Sequence, residues 1–405
     1  MRLSVAYTFE PGLIEALGEY PEVEEIFGKL DRDDIGGGRS TYTLRPTSGR
    51  SLERSVSEAH RHGIAFNYLL NAASLGGMEQ TRGGQRRIRR LLDRLSELRV
   101  DCVTVASPLL LKLIKARYPH FAVRIGVFAL VDSTAKLKQW EDMGADTVCL
   151  SAISCNRDFE KLRRLREAAR CRLQLIVNAS CLPGCSHEPT HMNLLSAASR
   201  RGERLGGYCL DYCILHCSMQ RLSDPVNYIR SIWIRPEDLR IYESLGYDSF
   251  KVLERSCSRE LLLKRVAAYA SRSFEGNLWE LVGPVAQVTA RQGAGPLQRL
   301  RTAAMMFRPR QVKIGSLRAM QRYADAIIPG RYERGATPVY IDNTALEGFL
   351  PGLMKRGCSP TDCERCGYCE SWARRVVEID RDQREKTFEQ GRQLQEGMDS
   401  GGIWW

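Results

Sequence analysis

The stretch DCVTVASPLLLKLIKARYPHFAVRIGVFALVDSTAKLKQWEDMGADTVCLS, residues 101–151, alternates three short apolar runs with two helical ones. DCVTVAS (101–107), VRIGVFAL (123–130) and DTVCLS (146–151) read as buried strands, and 108–117 and 134–143 as amphipathic helices. Connections of a few residues make this a parallel sheet, because each helix must carry the chain back across a face. Working outward, 3–9, 23–30, 64–70, 172–180, 231–235 and 249–254 add strand candidates, and 86–99, 157–170, 236–245 and 258–272 add helices. Eight or nine strands in about 270 residues fit an α/β fold closed into a TIM-like (β/α) barrel better than an open sheet, so one candidate is surplus. Barrel chemistry sits where strands end and helices begin. Those positions offer Asn71, Ser107, Asn178 and Arg235, and RLQLIVNAS (172–180) runs directly into Cys181.

The 405 residues, 43% of them hydrophobic, suffice for one large domain or two ordinary ones. The pattern divides the chain into a barrel over 1–275 with a cysteine-bearing insertion at 178–220, a C-terminal segment over 285–380, and a polar tail over 381–405 expected to fray. VASPLLLKLI (105–114), the most apolar run, is short and carries Lys112, so no membrane span is expected. MRLSVAYTFEPGLIEAL lacks an apolar core leading to a cleavage site, so no export signal is expected and a reducing cytoplasm is the default. Fourteen cysteines there need a reason other than cross-linking.

Part of the net charge of +12 lies in RRIRRLLDRLSELR (86–99). Ile88, Leu91, Leu92, Leu95 and Leu98 keep helical spacing while Arg86, Arg87, Arg89, Arg90 and Arg94 fill the other face, which reads first as a solvated surface. QRLRTAAMMFRPRQVK (298–313) is a second basic stretch; together they keep RNA open as a partner without a recognition motif.

Nine cysteines fall in two groups. Cys358, Cys363, Cys366 and Cys369 follow spacers of four, two and two, which wrap a loop around a 4Fe–4S cube as in bacterial ferredoxins; zinc is the alternative. In the first group, Cys181 with Cys185 and Cys213 with Cys217 each stand four residues apart, placing two sulfurs on one face at helical pitch. Two such pairs could supply four thiolates to iron–sulfur or to zinc, with Cys209 as a spare. The three-then-two cysteine spacing of S-adenosylmethionine radical chemistry is missing. His187 and His191 could donate protons or ligate beside the cluster, or hydrogen-bond loop backbone. Arg235, at a strand end before Pro236, could grip a carboxylate with a bidentate fork or pair with a nearby acid; Lys251 and Arg255 could add positive charge on the same face.

The runs NASCLPGCSHEPTHMN (178–193), DYCILHCSMQRL (211–222) and SIWIRPEDLRIYESLGYDSFKVLER (231–255) resemble peptidase family U32, the collagenase-like peptidases, with a likeness reaching over about residues 1–275. The resemblance implies a barrel and a 4Fe–4S cluster near its mouth, held by position at Cys181, Cys185, Cys213 and Cys217. Several members look like iron–sulfur proteins that hydroxylate RNA bases or ubiquinone precursors without dioxygen, with prephenate implicated as oxygen source for some. Two departures stand out. Glu254 replaces the family's glycine before Arg255, which predicts loss of a tight backbone approach, and the Cys358–Cys369 group lies outside the shared core.

These readings favour an oxygen-independent, iron–sulfur hydroxylase-type redox enzyme acting on a small anionic or aromatic substrate or an RNA base. An oxygen donor and an electron-donor protein would be its partners. A metal-dependent peptidase is the runner-up, although proteolysis would call for a Ser–His–Asp order or a His-Glu-x-x-His helix, and neither is read here. A non-catalytic iron–sulfur or RNA-linked binding protein is the third reading.

Overall fold

The computed structural model describes residues 1–41, 43–202, 210–284, 313–327, 339–358 and 363–405. Eight parallel strands close into a barrel in chain order: β1 (Arg2–Ala6), β2 (Val23–Gly28), β3 (Ala65–Leu70), β4 (Cys102–Val105), β5 (Ala122–Ile125), β6 (Thr147–Cys149), β7 (Arg172–Ile176) and β8 (Ser249–Val252). β1 closes the ring on β8, with Arg2 opposite Ser249 and Val5 opposite Val252. Helices start where the sequence places a capping side chain. Ser107, Ser133, Asp158 and Ser258 each accept a backbone N–H from the first turn, and Pro108 supplies the preset φ after Ser107. On the Arg82–Glu97 helix, Ile88, Leu92 and Leu95 are buried against the barrel, and Arg86, Arg87, Arg89 and Arg90 are exposed.

The surplus strand is SIWIR. β7 already pairs with β8, Gln174 opposite Ser249, so the ring has no free edge for a ninth member. The segment instead runs extended beside the continuation of β7, where Ile232 N–H donates to Cys181 O (3.1 Å) and Ile234 N–H to Val177 O (2.8 Å). Its strand-like apolar character comes from burial on both sides: Ile232 packs with Cys149, Ile176 and Ala179, and Trp233 meets Phe349 of the C-terminal segment at 5.7 Å between ring centroids.

That segment begins to be described again at Lys313 and contributes the Ile314–Ile327 helix and an antiparallel pair, β9 (Val339–Ile341) and β10 (Val377–Ile379). Asn277 clamps β9 by donating to Val339 O and accepting from Ile341 N–H. The tail does not fray. Arg381–Asp399 is one helix packed on the Tyr212–Ser223 and Ile314–Ile327 helices, around Leu215, Met219, Leu222, Tyr323 and Leu394. The crossing is close enough that a Cβ on Gly391 would overlap Met219 Sδ and the Tyr323 ring. Gly391→Ala is therefore expected to lower stability by roughly 1–3 kcal/mol in a thermal melt, against the gain that alanine normally brings to a helix. Among the described residues no helix is long and apolar enough to cross a membrane.

Candidate active site at the barrel mouth

Past the end of β7 the chain continues through Val177 and Asn178 to Cys181. Asn178 fixes this exit by donating to Leu253 O (3.0 Å) and accepting from Leu253 N–H (2.7 Å), which carries the β7–β8 pairing beyond the ladder. Cys185 precedes the Glu188–Ala197 helix, and Cys213 and Cys217 lie one turn apart on the Tyr212–Ser223 helix, capped by Asp211. The fold brings these four thiols into one electrostatic neighbourhood. Burial, then Cys217, and further down Cys185, push the Cys181 thiol up to about 12. Burial, Asp211, Cys185 and Cys217 raise Cys213 to about 11, and Cys185 is raised by burial and then by Cys217. Cys209 lies outside the described residues.

Arg221, which the sequence reading missed, ties the two pairs together. It donates to Ser180 O beside Cys181, to Cys217 O (3.2 Å) and to Cys217 Sγ (3.5 Å), and its Nε is buried without an acceptor. Its only sequence signal is its place one turn after Cys217. Glu188, also missed, is buried against Ser151 Oγ (3.4 Å), and burial raises its pKa.

His187 and His191 go separate ways. The His187 ring meets His216 at 4.4 Å between centroids, while His191 Nε2 lies 3.5 Å from Asp211 Oδ2. Burial and then His187 lower the His216 pKa. The run His187-Glu188-Pro189-Thr190-His191 does have the His-Glu-x-x-His spacing that the sequence reading passed over. It opens its helix, with His187 at the cap and Pro189 in the first turn, rather than occupying a helix interior. Among the described residues no three His, Cys, Asp or Glu side chains converge on a single-ion site.

Arg235 is committed elsewhere. It is buried, bonds Asp238 through Nε (2.9 Å) and Nη2 (3.0 Å), and donates from Nη1 to Asn343 O (3.0 Å). Its fork joins the barrel to the C-terminal segment instead of facing a substrate, because an acid three residues on lies within its reach. Lys251 and Arg255 are different. Lys251 sits inside the barrel, its ammonium 4.0 Å over the Phe27 ring, near Cys149, Arg124 and Glu25. The neighbouring carboxylate, Glu25, is already held by Arg124 Nη2 (3.0 Å), Ser4 and Asn67. Arg255 is 6% exposed, and its Nη2 is buried with no acceptor. Among the described residues neither cation has a hydrogen-bonding or ion-pair partner. Glu254 is taken by Arg39 (3.0 Å to each oxygen), and Asp33 by Lys29 (3.0 Å) and Tyr68 (2.8 Å). Asn71 Oδ1 is likewise buried and unpartnered. Over it runs the Gly36–Gly38 loop, where a Cβ on Gly37 would strike Asn71 and one on Gly38 would strike Arg255.

Glu254 adopts φ 110, a region that favours glycine, and the Arg39 pair and the Ser256 hydroxyl (2.6 Å) hold it there.

A family model described as Peptidase family U32 matches residues 33–272. An uncharacterized protease of Methanocaldococcus jannaschii is 32% identical over 287 residues, covering 67% of this chain and 83% of that protein. The tRNA hydroxylation protein P of Escherichia coli is 24% identical over 159 residues, which are 38% of this chain and 34% of that protein. A solved structure described as a U32 peptidase is 21% identical, covers 63% of this chain and 92% of its own, and superposes with a TM-score of 0.47.

Proposed function

The chain belongs to peptidase family U32, and on that premise we propose that it is an iron–sulfur enzyme that hydroxylates its target without dioxygen and draws on a small anionic substrate or oxygen donor held at the barrel mouth. The observation that carries the reading is the pair of buried cations, Lys251 and Arg255, which no carboxylate among the described residues hydrogen-bonds because the nearby Glu25, Glu254 and Asp33 are held by other partners. Burying a charge that no carboxylate hydrogen-bonds is costly, so two such groups near each other favour an anionic ligand.

The donor set fits a 4Fe–4S cluster. Four soft thiols lie close enough to perturb one another, and Arg221 directs an N–H at the Cys217 sulfur. A single zinc would need its ligands within about 4 Å of one another, given Zn–S bonds of about 2.3 Å; a four-iron cube is wider and takes thiolates set further apart. Once bound, such a cluster supplies one-electron chemistry or an electrophilic iron at the mouth. The chain's own residues do the rest. Arg255 and Lys251 bind the anion, Arg221 positions Cys217, and Glu188, whose burial favours the protonated form, can hold a proton beside Cys181 and Cys185. The similarity to the tRNA hydroxylation protein supports a tRNA base as target. The exposed arginines of the Arg82–Glu97 helix would then help hold the phosphate backbone.

The pH dependence of anion binding follows from Lys251. Burial lowers its pKa from 10.5 to about 8. Anion affinity is expected to stay level below that value and to fall as pH rises through it. Stability moves the other way: between about 8 and 10.5 the unfolded chain binds the extra proton, so stability rises with pH across that window. Isothermal titration with a dicarboxylate from pH 6.5 to 9.5 checks the first statement.

The function is tested by mass spectrometry of bulk tRNA nucleosides from anaerobically grown cells with and without the gene. Loss of a hydroxylated nucleoside supports the reading. Unchanged nucleosides, together with chelator-sensitive cleavage of casein or denatured collagen by the purified protein, would replace it with the peptidase.

A further inference from the structure

Arg157 follows the short Ala152–Cys155 helix after β6 and is 8% exposed. One of its nitrogens, Nη1, donates to Ile229 O (2.7 Å). The guanidinium lies 4.6 Å from the centre of the Trp233 ring and 5.3 Å from that of Phe349. Nε and Nη2 are both buried with no acceptor, and among the described residues no carboxylate pairs with it. Its strongest favourable electrostatic partner is Cys369, and Cys358 is another. Cys369 and Cys358 in turn feel Cys363 and Cys366, so all four thiols of the C-terminal group share one surrounding with Arg157.

The local fold explains how they meet. Cys363–Cys366 forms one helical turn, Gly367 caps the next helix at φ 61, and Cys369 lies in the first turn of that Tyr368–Val376 helix. That helix packs on the Val226–Arg230 helix, which supplies Ile229, and Trp372 and Tyr368 enclose Phe349. A buried guanidinium with two idle nitrogens calls for an anion, and neutral thiols are poor acceptors, whereas metal-bound thiolate and inorganic sulfide are good ones.

We propose that Cys358, Cys363, Cys366 and Cys369 hold a four-iron cluster against Arg157, which donates to the cluster's sulfur and offsets its negative charge. Arg157 is thus a positioning and charge-balancing residue, and it stabilises the reduced, more negative state. The assignment stands independently of the barrel-mouth reading, since each cluster is removed by its own cysteines.

The test uses the full chain purified anaerobically, with iron and sulfide analysis and a redox titration followed by electron paramagnetic resonance. Cys363→Ala with Cys366→Ala is expected to remove about four irons per chain, whatever the barrel mouth holds, and to identify the C-terminal signal by difference. Arg157→Met, which keeps the packing against Trp233, is expected to retain the iron and shift that signal alone to lower potential; Arg157→Lys, keeping the charge, shifts it less. Unchanged iron in the double cysteine variant, zinc in its place, or an iron-replete Arg157→Met protein with unaltered potential would each overturn the proposal. Should Arg157→Met fail to fold, the cysteine and lysine variants still decide it.

Discussion

Arg255→Met is expected to weaken anion binding by about 10- to 100-fold, the equivalent of one charge-assisted contact, while leaving the protein as stable as before or more so. The opposite signs follow from the geometry. Arg255 is buried, has no acceptor among the described residues, and shares its corner with Arg39. Burial first and Arg39 next lower its pKa to about 10, so the folded protein carries a strained charge that methionine removes. A residue kept only for structure would lose stability on replacement. Arg235→Met supplies that contrast: it strands Asp238, 4% exposed, without its partner, and is expected to cost about 3–5 kcal/mol while leaving anion affinity unchanged. Thermal melts and calorimetric titration of both variants separate the roles. Equal destabilisation in both, with affinity untouched in both, would remove the anion pocket from the account.

Changing Cys181 and Cys217 together to alanine is expected to strip the barrel mouth of about four irons and to abolish activity, since two thiolates cannot hold a cube. The fold should survive. The Tyr212–Ser223 helix is also held from behind by Met219, Leu222, Tyr323 and Leu394, and by Arg384, which donates to Leu222 O and Ser223 O. Iron analysis alongside far-ultraviolet circular dichroism tells loss of the site from loss of the helix. Full iron content in the variant would exclude these cysteines as ligands.

Much of this architecture is written locally. Alternation of apolar strands with capped amphipathic helices places the eight barrel strands and the helices Arg82–Glu97, Pro108–Arg117, Thr134–Asp142, Phe159–Ala168, Leu239–Ser244 and Arg259–Ser271, because strand period, cap and leucine stripe act over a few residues. The four-residue spacing of the cysteine pairs is realised at helical pitch only by Cys213 and Cys217; Cys181 and Cys185 lie on the non-helical chain ahead of the Glu188–Ala197 helix. What stays hidden depends on distant partners. SIWIR has a strand's composition, and only the closed ring denies it a ladder position. The polar tail conceals a packed helix because its contact runs through Gly391, a residue whose sequence signal is that of a helix weakness. Arg157 and Arg221 look like any other arginine in a basic chain, and burial without a carboxylate partner among the described residues distinguishes them; Arg255 was visible beside its strand, but its lack of an acceptor was not. Arg235 shows the converse, since Asp238 three residues away was visible but their burial together was not. Glu254 keeps a backbone angle suited to glycine because Arg39, far away in sequence, fastens its carboxylate.

The central claim is that thiolates at the barrel mouth hold an iron–sulfur cluster beside an anion pocket. Its most direct test is the iron, zinc and acid-labile sulfide content of the full chain purified without oxygen, compared with that of the Cys181→Ala, Cys217→Ala protein. The account predicts a brown protein with about eight irons, falling to about four in the variant. A colourless protein carrying stoichiometric zinc, or iron unaffected by the two changes, would contradict it.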